Sequence, residues 1–315
     1  MIRYISMRIL QMIPVLFGVL LAVFVITHVV PGDPVLLLLG EQYTEKEYNE
    51  MKVYLGLDKP LPVQFLSYAK GVVTGDLGKT IRSREPVTAA IFRRFPATLT
   101  LSVAAMIIAS VVAIPIGIVS ALKQNTKIDY ASMVFAQFGI SVPVFWLGIV
   151  LVLFFSLYLN LLPVGGRGEP PDLKHLILPA FCLAAPFMAM TARLTRSCML
   201  EVLSESYIVA ARSRGFSEAR VIFKHALKNA MIPVVTNLGL QLSRMLGGAL
   251  IIEVVFRWPG MGELAYDAIM ERDYAVVMGV VLLIAVIFIM INLLVDLSYT
   301  LFDPRIRYDT RTLED

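Results

Sequence analysis

Ala97-Thr-Leu-Thr-Leu-Ser-Val-Ala-Ala-Met-Ile-Ile-Ala-Ser-Val-Val-Ala-Ile-Pro-Ile-Gly-Ile-Val-Ser-Ala-Leu122 contains no charged residue over its whole length. A run of about twenty apolar residues spans the hydrocarbon core as a helix. In lipid only helices and closed barrels satisfy their own backbone groups. A barrel would show segments of about ten residues with alternating polarity, and this stretch shows none. The rest of the chain agrees. Of 315 residues, 57% are hydrophobic and 17% charged, with mean hydropathy +0.74. A soluble domain carries roughly 45–50% apolar and about 25% charged residues, so a soluble globule is excluded. The composition reads as an all-α polytopic membrane protein.

Working outward, similar runs predict six spans: 9–30, 97–122, 130–159, 173–192, 231–256 and 275–302. The first follows Arg3 and Arg8 but is too long for a signal-peptide core and has no A-x-A site after it, so it reads as an uncleaved span. Lys and Arg concentrate in the segments that lie inside if the N-terminus is inside, for example Lys123, Lys127, Arg193, Arg196, Arg212, Arg214, Arg220, Lys224 and Lys228. The short loops on the other side hold only Arg167, Lys174, Arg257 and Arg272. The positive-inside rule therefore places both termini in the cytoplasm. The net charge of +4 belongs to that asymmetry, and no nucleic-acid partner is expected. Cys182 and Cys198 are too few for a disulfide framework, and no bond between them is expected. The organisation is residues 1–30, N-terminus and first span; 31–96, an extracytoplasmic segment; and 97–315, a core of five spans containing a cytosolic loop at 196–232. The mixed charge and turn signals of the outer segment fit a folded cap. Ile91, Phe92 and Phe95, with Arg93 and Arg94 between them, read as an interfacial amphipathic helix ahead of the second span.

The sequence carries no catalytic constellation. Gly75-Asp76-Leu77-Gly78-Lys79-Thr80 ends like a phosphate-binding loop, but the glycine which that loop requires at position 73 is Val73. The stretch reads as a glycine-rich turn. His28, His175 and His225 lie in three separate regions without metal-ligand spacing, so no metal, cofactor or catalytic residue is assigned. A chain of this kind moves a solute rather than converting one. Arg244, near the middle of the fifth span, and Glu253, near its outer end, are candidate pathway or subunit-pairing residues, because intramembrane charge is costly. Nine residues turn a helix through about 900°, so the two point to opposite faces. Asp296, one turn from Asn292, is read as anchoring the inner end of the last span. Acids and histidines form no ordered run through the spans, and the two halves show no inverted repeat. Both observations count against an ion-coupled secondary transporter, and a channel or membrane sensor is a further alternative.

The cytosolic loop is the most informative stretch. From Glu205 to Arg214 it is rich in helix formers, Gly215 ends that helix, and Ser217 caps a second one over 220–230. Pro233 then stands at the start of the fifth span. Ala210, Ala211 and Gly215 occupy the fixed positions of the Ala-Ala-x-x-x-Gly loop of ABC importer permeases. Val209 stands where the general pattern has Glu, and His225, Leu227 and Asn229 belong to an H-x-L-[RK]-N-A-x-x-P continuation. In both respects the chain resembles the peptide/nickel branch of these permeases. Pro31-Gly-Asp-Pro34, Leu55-Gly-Leu-Asp-Lys-Pro-Leu61, Gly75-Asp-Leu-Gly78, Glu253 to Gly262, Arg272-Asp-Tyr274 and Asp303-Pro-Arg-Ile-Arg307 extend the resemblance over almost the whole chain.

The resemblance implies type I ABC importer permease architecture in a bacterial or archaeal cell membrane. It implies a second homologous permease completing the pathway, two cytosolic ATP-binding subunits docked at Ala210, Ala211, Gly215, His225, Leu227 and Asn229, and an extracytoplasmic substrate-binding protein. Membrane lipid surrounds the whole. Peptides, including dipeptides, oligopeptides and glutathione, are the implied cargo, with nickel or a metal chelate as the alternative.

Overall fold

The computed structural model describes residues 2–29, 34–39, 43–168 and 171–302. Helix α1 (Ile2–Val29) is followed by three helices of the outer segment, α2 (Pro34–Leu39), α3 (Glu45–Tyr54) and α4 (Leu61–Thr74). Then come α5 (Val87–Leu122), α6 (Lys127–Ser141), α7 (Val144–Leu151, continuing as a π-helix over Val152–Tyr158) and α8 (Leu173–Leu203). The loop helices α9 (Ser206–Ser213) and α10 (Glu218–Arg220) lead through a π-helical turn, Val221–Ala226, into α11 (Leu227–Val255). Helices α12 (Met261–Met270) and α13 (Tyr274–Phe302) complete the described chain. The Asp296 side chain and the Asp303–Arg307 motif lie outside the described residues, as do Pro31, Gly32 and Asp33.

Among the described residues, four stretches are long and apolar enough to cross a membrane: Val87–Leu122, Leu173–Leu203, Glu218–Val255 and Tyr274–Val295. They correspond to the predicted second, fourth, fifth and sixth spans. The apolar part of α1 runs over Leu10–Ile26. The predicted third span is not one straight helix. It is a pair, α6 and α7, bent by 102°. Pro143 lacks the N–H that would bond back to the preceding turn, and its ring drives Val142 out of the α region, to φ −80° and ψ 125°.

Two further differences have physical causes. The predicted interfacial helix at 91–95 is the first part of α5, and Pro96 lies inside that helix. Ile91 is 2% exposed, packed with Val87 against Met261, Ala265 and Val280. The two arginines are ion-paired, Arg93 with Glu85 at 2.7 Å and Arg94 with Glu263 at 3.2 Å. Partners from other helices bury Ile91, while Phe92 stays exposed on the outer face. Pro233 likewise sits inside a continuous helix rather than at its start. Membrane helices tolerate such prolines because neighbouring groups satisfy the freed carbonyls.

The centre of the fold is the seam between α5 and α8. Along α5, Ala97, Leu101, Ala105, Ala109, Ala113, Gly117 and Ala121 are buried at every fourth position. Alanines of α8, including Ala184, Ala185 and Ala192, face the stripe. Lipid tails are as apolar as leucine, so helices associate in membranes through close approach of small residues rather than by hydrophobic exclusion. At Gly117 a Cβ would lie 2.6 Å from Thr195 Cβ and 2.7 Å from the Ala192 carbonyl oxygen. Gly117→Leu should therefore destabilise the purified subunit by about 1–3 kcal/mol and lower its melting temperature. Ile107→Leu, on the outward face of the same helix, should leave it unchanged.

Candidate functional site

The loop predicted to dock a partner forms a knob with its own core. α9 buries Ile208 and Ala211 against Val221, Ala226, Ala230 and Val234, and the same cluster includes Ile118 and Ala121 of α5 and Cys198 and Met199 of α8. The two alanines predicted as one contact thus divide. Ala211 is buried in the knob, whereas Ala210 is exposed, a small residue over which another surface can approach closely. Gly215 ends α9 as predicted. Its φ of +75°, with Gly215 N–H donating to Arg212 O and Phe216 N–H to Ala211 O, is the Schellman arrangement that favours glycine. Nothing lies within 4 Å of a Cβ built there, so the glycine is required by the backbone and not by a neighbour.

The downstream motif holds this turn in place. Phe216 stacks on the His225 ring at 5.6 Å, and the Arg220 guanidinium lies 4.8 Å from the centre of the Phe216 ring. Leu227 packs on the knob core. Asn229 Nδ2 donates to Tyr207 Oη at 2.7 Å, tying α11 to α9. Arg212 pairs with Glu218 across the turn at 2.9 Å. His225, Leu227 and Asn229 therefore act mainly as supports. Ser217 begins α10 without a side-chain cap, contrary to expectation. The π-helical turn Val221–Ala226, with Leu227 N–H bonding to Ile222 O, is an irregularity of the kind often found at functional sites. Its two ends, Val221 and Ala226, belong to the knob's core.

Beside the knob is an ion pair that sequence reasoning missed. Asp129 at the start of α6 accepts from Arg196 Nε and Nη2 of α8 at 2.7 and 2.8 Å, from Ser120 Oγ of α5 at 2.5 Å and from Asn125 N–H at 3.0 Å. It is 2% exposed. The available signal was Asp129 itself, the sole acid in the short basic turn between two apolar runs.

At the opposite end of α11, Glu253 is not on a pathway or pairing surface. It is fully buried. Its Oε1 accepts from Thr98 Oγ1 at 2.6 Å, and its Oε2 accepts from Gly262 N–H at 2.6 Å and Glu263 N–H at 3.3 Å. Thr98 Oγ1 in turn accepts from Met261 N–H at 2.8 Å, and Trp258 Nε1 donates to Ala97 O at 2.9 Å. A Cβ at Gly260 would overlap the Glu253 carboxylate. The Glu253–Gly262 motif is thus a turn wrapped around a buried carboxylate and pinned to α5. Just outside it, burial raises the Glu263 carboxyl above the usual carboxylate range, opposed by the charges of Arg94 and Arg257. The Gly75–Gly78 stretch is a glycine turn, as expected. Gly75 has φ +79° and caps α4, and Asp76 Oδ1 accepts from Gly78 N–H.

Arg244 stands apart. It is exposed on α11 and makes no hydrogen bond or ion pair with any described residue. One turn on, a Cβ at Gly248 would meet nothing within 4 Å, so the helix face beside the guanidinium is bare.

Residues 113–308 match the model for the binding-protein-dependent transport system inner membrane component, and residues 1–102 match the model for the N-terminal part of such membrane components. The chain is 42% identical to the dipeptide transport system permease protein DppB of Escherichia coli strain K12, over 98% of this chain and 99% of that protein. It is 43% identical to the glutathione transport system permease protein GsiC of Escherichia coli O6:H1, over 98% of this chain and 100% of that protein. In fold it is similar to a chain of the inward-facing MetNI methionine ABC transporter, with TM-score 0.59 and 19% identity, over 70% of this chain and 99% of that one.

Replacing Glu253 by Leu keeps much of the side-chain volume but leaves the Thr98 hydroxyl and the Gly262 and Glu263 amides without their acceptor. The cost is about 1–3 kcal/mol, and it should show as a lower melting temperature of the detergent-purified subunit. An unchanged melt would refute the carboxylate's role as the pin of this turn.

Proposed function

The chain belongs to the binding-protein-dependent transport system inner membrane components, the permease class of ABC importers, and we propose that it forms half of a translocation pathway for peptides. It is a multi-pass inner-membrane protein, and it hydrolyses no ATP itself, since the ATPase is a separate subunit. A permease of this class works with ATPase and permease subunits and a substrate-binding protein. The finer reading is six spans with both termini in the cytoplasm, one homologous permease as partner, two ATPases beneath, and residues 31–96 as a cap toward the binding protein. Peptide cargo is supported by relatives named for dipeptide and glutathione transport. A metal chelate carried by the same machinery is the second reading.

The observation that carries the coupling role is the knob. Its core is shared by α5, α8, α9 and α11, so a force on α9 reaches three spanning helices through direct packing. ATPase docking on Ala210 and the Gly215 turn biases an equilibrium between inward- and outward-open forms, and a loaded binding protein biases it from the other side. Ala210→Asp removes the close approach without touching the knob core, and Gly215→Val forces a β-branched residue into a left-handed backbone. Both variants should insert in the membrane yet reduce uptake in whole cells by more than about tenfold, while ATPase activity loses its dependence on loaded binding protein. Normal uptake by Ala210→Asp would exclude this surface as the coupling contact.

Arg244 fits the conduit. An exposed guanidinium at mid-span needs water, carbonyls or an anion, and a peptide carboxylate supplies the complementary charge. Arg244→Gln should lower peptide uptake about tenfold or more with normal assembly. Failure to co-purify with the partner permease would make it a pairing residue instead, and unchanged uptake would remove it from both roles.

A further inference from the structure

Between α1, α4, the turn at 76–81 and the start of α13 lies an open cleft of about 390 Å³. Three separate stretches of sequence converge on it: Leu55, Gly56, Leu57 and Lys59; Asp76 to Lys79; and Tyr274 with Ala275. Two phenolic hydroxyls in its wall, Tyr68 Oη and Tyr274 Oη, are buried and make no hydrogen bond to any described residue. Buried hydroxyls are ordinarily paired, and an orphan calls for a specific explanation. Burial pushes the Tyr68 phenol up to about 12, so it remains a donor throughout the neutral range. Two other polar side chains of the wall are occupied. Gln64 donates to Lys59 O and meets His28 Nε2, and Asp76 Oδ1 accepts from Gly78 N–H. Asp76 is also the only carboxylate among the lining residues, against Lys59 and Lys79. The cleft therefore offers free donors and a surplus of positive charge.

Its other wall is apolar. Phe24 of α1 and Met278 of α13 line it, and α1 turns Phe17, Leu21, Val25 and Ile26 outward beside it. α1 packs chiefly on α13 and then on α4, so the cleft opens at the rim of the helix bundle, away from the α5–α8 seam. A ligand suited to it has hydrogen-bond acceptors and negative charge at one end and hydrocarbon at the other.

We propose that this cleft binds the headgroup of an anionic membrane phospholipid, with its phosphate oxygens accepting from the Tyr68 and Tyr274 hydroxyls and its charge facing Lys59 and Lys79. The phospholipid would fasten α1 and the outer segment to α13.

The test uses the full chain with its partner permease in nanodiscs of phosphatidylcholine alone or with phosphatidylglycerol. Retained lipid is counted by native mass spectrometry and the melting temperature is measured alongside. The wild type should retain phosphatidylglycerol and melt higher with it. Tyr68→Phe with Tyr274→Phe keeps both rings and should weaken retention about tenfold, the loss of charge-assisted hydrogen bonds. In lipid-free detergent the same variant should melt no lower than wild type, because there it discards two unpaired hydroxyls. Equal retention by wild type and double variant would overturn the proposal, as would a melting temperature indifferent to phosphatidylglycerol. Glycerol phosphate added to phosphatidylcholine discs should not reproduce the shift. If it did, the occupant would be a soluble anion and not a lipid.

Discussion

The close approach of α5 and α8 through a column of small residues is the constraint on which the other features depend. Helices in lipid gain little from excluding hydrocarbon by hydrocarbon, so adhesion comes from packing at short range. A row at every fourth position advances about 40° per step on a helix of 3.6 residues per turn, so the buried column from Ala97 to Ala121 winds slowly around α5 and suits helices that cross at an angle. Polar fastenings close both ends of the column. At one end Thr98 and the Ala97 carbonyl hold the Glu253–Gly262 turn, and at the other Ser120 joins the Asp129–Arg196 pair. Neither would be in register without the seam.

That arrangement gives the knob its leverage. Ile118 and Ala121 at the end of the α5 column and Met199 of α8 are members of the knob's own core. The knob is thus the continuation of the central seam, unlike a loop tethered at its two ends. The irregular backbone of the assembly, the π-helical turn at Val221–Ala226 and the 102° break at Pro143, flanks this rigid centre. Conformational change is most readily absorbed at such places.

Charge is handled in two opposite ways on one helix. Glu253 is fully buried and accepts from three donors, which is how an ionisable group is tolerated in a dry interior. Arg244, nine residues earlier, is exposed and unpaired among the described residues. One carboxylate on this helix is thus completely satisfied from within the chain, and the arginine nine residues away is not.

Local physics made much of this legible in the sequence. Apolar run length marked the spanning stretches, Ala-Ala-x-x-x-Gly marked the knob and its glycine turn, and helical periodicity placed Arg244 and Glu253 on different faces. These follow from backbone satisfaction, left-handed φ and the 3.6-residue repeat, all properties of neighbours along the chain. Tertiary structure alone decided which face of each helix is dry. It turned Glu253 from a pathway candidate into a buried pin, separated Ala210 from Ala211, recast His225 and Asn229 as supports, and joined Asp129 to Arg196 across 67 positions. It also paired Arg93 and Arg94 with acids of other segments and bent the third span at Pro143. The cost of burying a charge or hydroxyl depends on the donors within about 3 Å, and those donors come from segments whose proximity no local pattern encodes.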